Sequence, residues 1–134
     1  METNLPNPTE TIHAIYDAFG RGDIPFILGQ LDANVVWEFE AAAVISFGGI
    51  RRGPAEVAGF FEGIAKDHVD PKLAISDVFA DGDKVAAFGR YDATIKATGK
   101  RVSTPLAHFW TFHNGRIIRY VNHLNTAAFI EAAA

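Results

Sequence analysis

At Asp70-Pro71 the spacing of apolar residues changes. Before that point they recur at helical intervals; after it they alternate, so helices come first and strands follow. Ile12, Ile15, Tyr16 and Phe19 form one helical stripe, and Val57, Phe60, Phe61 and Ile64 form another. Asn7 or Thr9 can cap a first helix from about Thr9 to Phe19, with Pro8 near its first turn and Gly20 and Gly22 ending it. Asp23 caps a shorter second helix with Pro25 in its first turn and Ile24, Ile27, Leu28 and Leu31 facing inward. Val35 to Phe39 reads as a strand and Phe47 to Arg51 as a short partner strand, and a third helix follows Gly53-Pro54. Strands are then predicted at about 72–80, 84–97, 101–113 and 116–124, divided by Asp81-Gly82, Thr98-Gly99 and Asn114-Gly115. Asn125 can cap a last short helix, 126–134. Helices followed by hairpins define an α+β domain, with three N-terminal helices on one face of a mostly antiparallel sheet.

One domain is what 134 residues permit. A chain of this size buries roughly two-thirds of its unfolded surface, enough for a core without staples. The hydrophobic share of 49% and the 11 Phe residues supply that core. A net charge of −4 argues against nucleic acid or an anionic membrane as partner. With no cysteine, disulfides and thiolate chemistry are excluded. The five histidines show no HxxxH or HxH spacing, so neither a metal nor another cofactor is expected. METNLPNPTE lacks the pattern of a signal peptide, and no apolar run approaches the ~18 residues of a membrane helix; a cytoplasmic location is expected.

The stretch LAHFWTFHNGRIIRYVNHL, residues 106–124, decides where the polar groups point. A two-residue Asn114-Gly115 turn would pair His113 with Arg116 and put His108 and Asn122 on opposite faces. A three-residue turn with Gly115 left-handed would pair Phe112 with Arg116 and His108 with Tyr120. The second register collects Leu106, His108, Trp110 and Phe112 beside Ile118, Tyr120, Asn122 and Leu124. It leaves both arginines outside. This bulkier set is taken as the core face, so His108 and Asn122 converge beneath the helices.

On the preceding strand Arg90 and Asp92 share a face with Phe88. If Phe88 is inward, so are they, and a charged pair under helices costs several kcal/mol per ion unless well partnered. If Tyr91 is inward instead, Arg90 and Asp92 are a solvated surface feature. With Phe88 inward, Arg90, Asp92, His108 and Asn122 floor a cavity walled by Trp37, Phe39, Phe88, Trp110 and Tyr120, suited to a small apolar ligand. Read singly, His108 could be a satisfied core histidine, Asn122 could bond backbone, and the aromatics could be plain core. Pro105, Ala107, Phe109, Ile117 and Val121 point away from the helices. A second copy covering that patch would make a homodimer. The alternative is shielding by the Arg119 and Lys96 stems.

Three stretches, YDAFGRGDIPFILGQLDANVVWEF, GGIRRGPAEVAGFF and ATGKRVSTPLAHFWTFHNGRIIRYVNHLNTAAF, together resemble the SnoaL-like polyketide cyclase branch of the nuclear transport factor 2-like superfamily. The resemblance implies a curved sheet wrapped by helices into a cone. Cyclases of this type use a histidine on the penultimate strand, matched by His108, and an acidic residue on the last strand, where Asn122 stands. Arg90-Tyr91-Asp92 resembles the Arg-x-Asp of limonene epoxide hydrolases, whose water-activating aspartate again falls at Asn122. The base and tyrosine of ketosteroid isomerases fall near Phe39 and Ile15, both apolar.

The expected activity is therefore acid–base chemistry without a cofactor: isomerisation, cyclisation, dehydration or hydrolysis of a small apolar carbonyl or polyketide- or terpenoid-like compound. Asp92 would exchange a proton with His108, Arg90 would steady Asp92 or an oxyanion, and Asn122 would orient a carbonyl. The competing readings are a binding module for an apolar ligand and a dimerising accessory domain.

Overall fold

The computed structural model describes residues 7–134. Helix α1 (Pro8–Arg21) begins at Asn7, whose side chain accepts from the Glu10 amide while Glu10 accepts from the Asn7 amide. This reciprocal cap satisfies two of the amides a helix start leaves unpaired. Gly22 ends the helix at φ 73, a conformation that favours glycine. Asp23 then caps α2 (Ile24–Gly29), and the chain enters β1 (Leu31–Phe39) and its short partner β2 (Gly49–Arg52). Helix α3 (Gly53–Asp67) buries Val57, Phe60, Phe61 and Ile64, the stripe read from the sequence. Four strands follow: β3 (His68–Asp81), β4 (Lys84–Ile95), β5 (Arg101–His113) and β6 (Arg116–Leu124). Helix α4 (Thr126–Ala133) closes the chain.

The strands form one sheet in the order β2-β1-β6-β5-β4-β3, with β1 parallel to β6 and every other pair antiparallel. The α+β class and the mixed, mostly antiparallel sheet are as expected. The sheet is curved, and two register shifts along β3 bend its outer edge. Gly89 makes the second bend possible: a Cβ there would lie 2.1 Å from the Ala74 carbonyl oxygen. Helices α1, α2 and α3 pack on the concave side with Ile12, Ile15, Ala18 and Ile27, fully buried, against the sheet.

Two expectations about strand faces need correction. On β4 the inward residues are Val85, Ala87, Tyr91, Ala93 and Ile95, all buried. Phe88 and Arg90 are exposed, and Asp92 is half-buried on the same outer side. Burying an uncharged row avoids desolvating two ions, and that preference overrides the pull of one Phe.

The last hairpin differs as well. His113 pairs with Arg116, so the turn is the two-residue kind, with Asn114 at φ 50 and Gly115 at φ 77. The additional residue sits inside β6. Phe112 faces Ile117 and Thr111 faces Arg119, which leaves Ile118 as the bulge. Ile117, expected outside, is fully buried, and its amide donates to the Gln30 carbonyl at 3.0 Å. Beyond the bulge, His108 pairs with Asn122 rather than Tyr120. His108 and Asn122 still share the inner face.

Candidate functional site

Between the helices and the concave sheet lies a cavity whose wall draws on every strand except β2. Most of its lining is aromatic or aliphatic and fully buried: Ile15, Trp37, Phe60, Phe61, Trp110 and Tyr120. Tyr16, Phe19, Leu73 and Leu124 line it but are only half-buried, which places the mouth between α1, β3 and the end of β6. The space open to water centres is about 40 Å³, room for about three waters. A cavity that holds a benzene ring is about 150 Å³, so the space as it stands is smaller than one ring needs.

His108 is at the heart of the site. The Tyr16 hydroxyl lies 2.8 Å from His108 Nδ1, and Trp110 Nε1 donates to that hydroxyl at 3.1 Å. Because the indole can only donate, Tyr16 accepts from Trp110, and its own proton is free to be donated to His108 Nδ1. In that arrangement His108 is neutral with its proton on Nε2. Burial pushes its pKa down to about 3, although the Asn122 side chain favours the charged ring, and nearby His123 works with burial against it. Burial also raises the Tyr16 hydroxyl well above its usual range, against the hydrogen bond from Trp110. Asn122, directly across from His108, keeps Oδ1 buried without a hydrogen-bond partner, and Trp37 Nε1 is orphaned in the same way. A buried acceptor and a buried donor left open on one cavity wall are unusual and unfavourable without a ligand. Trp37 stacks on Tyr120 with ring centroids 3.9 Å apart, which fixes both walls.

Of the residues singled out from the sequence, Trp37, His108, Trp110, Tyr120 and Asn122 meet at this cavity. Phe39 is buried beneath it, packed on Phe47, and does not line it. Arg90, Asp92 and Phe88 lie on the other side of the sheet, where Arg90 donates to Ser103 Oγ at 3.2 Å. They cannot join His108 in one reaction centre. Among the described residues, no Asp or Glu lines the cavity and no group of three His, Asp or Glu is gathered as metal ligands.

The sequence reading missed the role of Tyr16. Its place in the α1 stripe said only that it faces the sheet; the partner hydrogen bonds come from a strand 92 residues away. It also missed a second pair, His68 Nδ1 and the Tyr91 hydroxyl, 2.6 Å apart and both buried.

A curved six-stranded sheet wrapped by helices into a cone, with a buried His–Tyr–Trp cluster inside, is the architecture of the nuclear transport factor 2-like class. Residues 12–120 match the SnoaL-like domain profile, and the chain belongs to that family. An NTF2-like protein of unknown function from Burkholderia pseudomallei is 26% identical, with a TM-score of 0.88 over 94% of this chain and 96% of that one. TerC, solved with polyporic acid, is 26% identical, with a TM-score of 0.84 over 93% and 96% of the two chains. A candidate polyketide cyclase from Pseudomonas putida is 27% identical, with a TM-score of 0.75 over 94% and 97%. No curated protein matches the chain in sequence. Among the described residues no helix is long and apolar enough to cross a membrane.

Proposed function

We propose that the chain is an acid–base enzyme of the isomerase or cyclase kind, working without a cofactor on a small, largely apolar carbonyl compound. The observation that carries this reading is the buried His108 ring, held at Nδ1 by the Tyr16 hydroxyl, beside the orphaned Asn122 Oδ1 and Trp37 Nε1; with the Tyr16 hydroxyl donating to Nδ1, Nε2–H is left to donate. A ligand bearing a carbonyl and a neighbouring hydroxyl or enol would satisfy an open acceptor and an open donor together.

The chemistry follows from the hydrogen-bond order. His108 Nε2–H donates to the carbonyl oxygen and polarises it. When negative charge develops there, the Nε2–H bond to that oxygen strengthens, while the Tyr16 hydroxyl keeps its proton and its bond to Nδ1. The Tyr16 oxygen stays held by Trp110 Nε1–H. No carboxylate on the wall removes a proton from carbon. The carbon proton is therefore lost to water, and the substrate enters as an already ionised enolate, as a polyketide-like 1,3-dicarbonyl or a hydroxyquinone supplies. The likeness to a candidate polyketide cyclase and to TerC, solved with polyporic acid, supports a carbonyl-rich ligand.

The second reading is a binding module, and the His108 pKa near 3 favours it, because so weak a base gains little from proton transfer. Incubation with β-dicarbonyl compounds, enones and lactones, followed by product analysis, separates the two. Turnover that falls about a hundred- to ten-thousand-fold in His108→Gln, with ligand still bound, supports the enzyme. Binding with no product from any of the panel supports the module.

The same proposal includes a homodimer through the outer face of the sheet. Phe79 is 63% exposed and Phe88 43% exposed, their rings 6.2 Å apart, and half-buried Phe109 and Val121 extend the patch. A second copy is the simplest cover for such a surface.

A further inference from the structure

Tyr91 brings a third hydroxyl to the cavity wall, beside those of Tyr16 and Tyr120, and nothing in the His108 chemistry uses it. It is 3% exposed, and burial raises its pKa well above the ordinary value. Its oxygen is held 2.6 Å from His68 Nδ1. The His68 ring is itself clamped, stacked on Phe129 at 5.6 Å and edge-on to Phe47 at 5.1 Å. A phenol offers one donor and two acceptor positions, and His68 occupies one of them. The rest of the wall nearby is hydrocarbon, including Leu73, the cross-strand neighbour of Tyr91. A Phe at this position would fill the same volume without desolvating a hydroxyl.

The two polar points are well separated. Tyr91 pairs with Thr104 on β5, and His108 lies four positions further along that strand, a span of about 13 Å between backbones.

We infer that Tyr91 is a second ligand-binding residue, with His68 as its positioning residue, and that the ligand carries an oxygen at each end of an apolar body. This rests on the proposed reading of His108 as the site of one carbonyl. The far oxygen is a hydroxyl or carbonyl that meets the free valences of the Tyr91 hydroxyl. The ligand class is thus a dioxygenated aryl ketone or quinone-like compound, not a mono-oxygenated one.

The test compares acetophenone with para-hydroxyacetophenone, which adds one hydroxyl at the far end of the ring. Dissociation constants come from NMR titration of the labelled wild-type protein and its variants. The hydroxylated ketone should bind about five- to tenfold tighter to the wild type. Tyr91→Phe should erase that preference while leaving acetophenone affinity unchanged. His68→Asn, which keeps a hydrogen-bonding group near Nδ1, should retain the preference, whereas His68→Leu should lose it. The His68 pair carries the test should Tyr91→Phe not fold. His108→Gln should weaken both ketones alike. Equal affinity of the two ketones for the wild type, or a preference that survives Tyr91→Phe, overturns the second anchor and leaves His108 untouched. Failure of either ketone to bind removes the carbonyl site and this inference with it.

Discussion

Tyr16 on the first helix and His108 on β5 meet hydroxyl to Nδ1 across 2.8 Å, and the indole of Trp110 donates to the same hydroxyl at 3.1 Å. This arrangement turns a neutral histidine into a directed donor. It also ties α1 to the sheet at the cavity mouth.

Tyr16→Phe breaks that arrangement. His108 Nδ1 and Trp110 Nε1 would each lose a partner, and leaving buried polar groups open costs about 1–3 kcal/mol each. The imidazole would then sample both tautomers. Nitrogen NMR of the His108 ring should show one protonated nitrogen in the wild type and a mixture in the variant, alongside a lower denaturation midpoint. A single unchanged tautomer in Tyr16→Phe would show that Tyr16 does not set it.

The depressed pKa of His108 makes stability depend on pH. Its folded value is about 3, against 6.5 for the free group. Above the free value both states are neutral there and the group adds no slope. Below it the unfolded chain binds a proton that the folded chain refuses, so stability falls as pH falls from about 6.5 towards 3. One group contributes at most about 1.4 kcal/mol per pH unit. His68 is lowered in the same direction, chiefly by burial, and adds to the slope. Urea denaturation of His108→Gln across this range should show a distinctly shallower decline than the wild type.

Arg90→Ala and Asp92→Ala test the correction on β4. Both side chains are on the outer face, remote from the cavity. Each variant should keep ligand binding and turnover at wild-type level, with stability changed by no more than about 0.5 kcal/mol. A large loss of binding in either would mean that the outer face communicates with the pocket.

What could be read from the sequence was the set of elements, because each depends on local signals. The α1 cap, the Gly22 stop, the α3 stripe and the alternation along β5 are all properties of neighbouring residues. The faces of β4 were harder, because Phe88 and Tyr91 are both bulky. The row Val85, Ala87, Tyr91, Ala93, Ile95 is free of charge, and that signal was the better guide. The hairpin needed one extra residue to bring His108 and Asn122 together, and its place at Ile118 depends on β6 meeting β1. No local pattern carries that. The Tyr16–His108 and His68–Tyr91 pairs are contacts between distant elements, so composition and spacing could offer only their residue types.

Gly89 gives a test of how the cavity acquires its curvature. A Cβ at this position would sit 2.1 Å from the Ala74 carbonyl oxygen and 2.8 Å from Ile75 Cα, both backbone atoms that cannot swing aside. Gly89→Ala should therefore displace β3 and destabilise the fold by at least the roughly 1–3 kcal/mol of ordinary overpacking. Gly20 is the control: it lies in α1 with nothing within 4 Å of an added Cβ. Gly20→Ala should stabilise by about 0.4–1 kcal/mol. Because Leu73 at the mouth and Tyr91 within the cavity flank the bend, Gly89→Ala should also weaken ligand binding, and Gly20→Ala should not. Thermal melts and ligand titrations of the two variants decide it; equal behaviour would place the origin of the curvature elsewhere in the sheet.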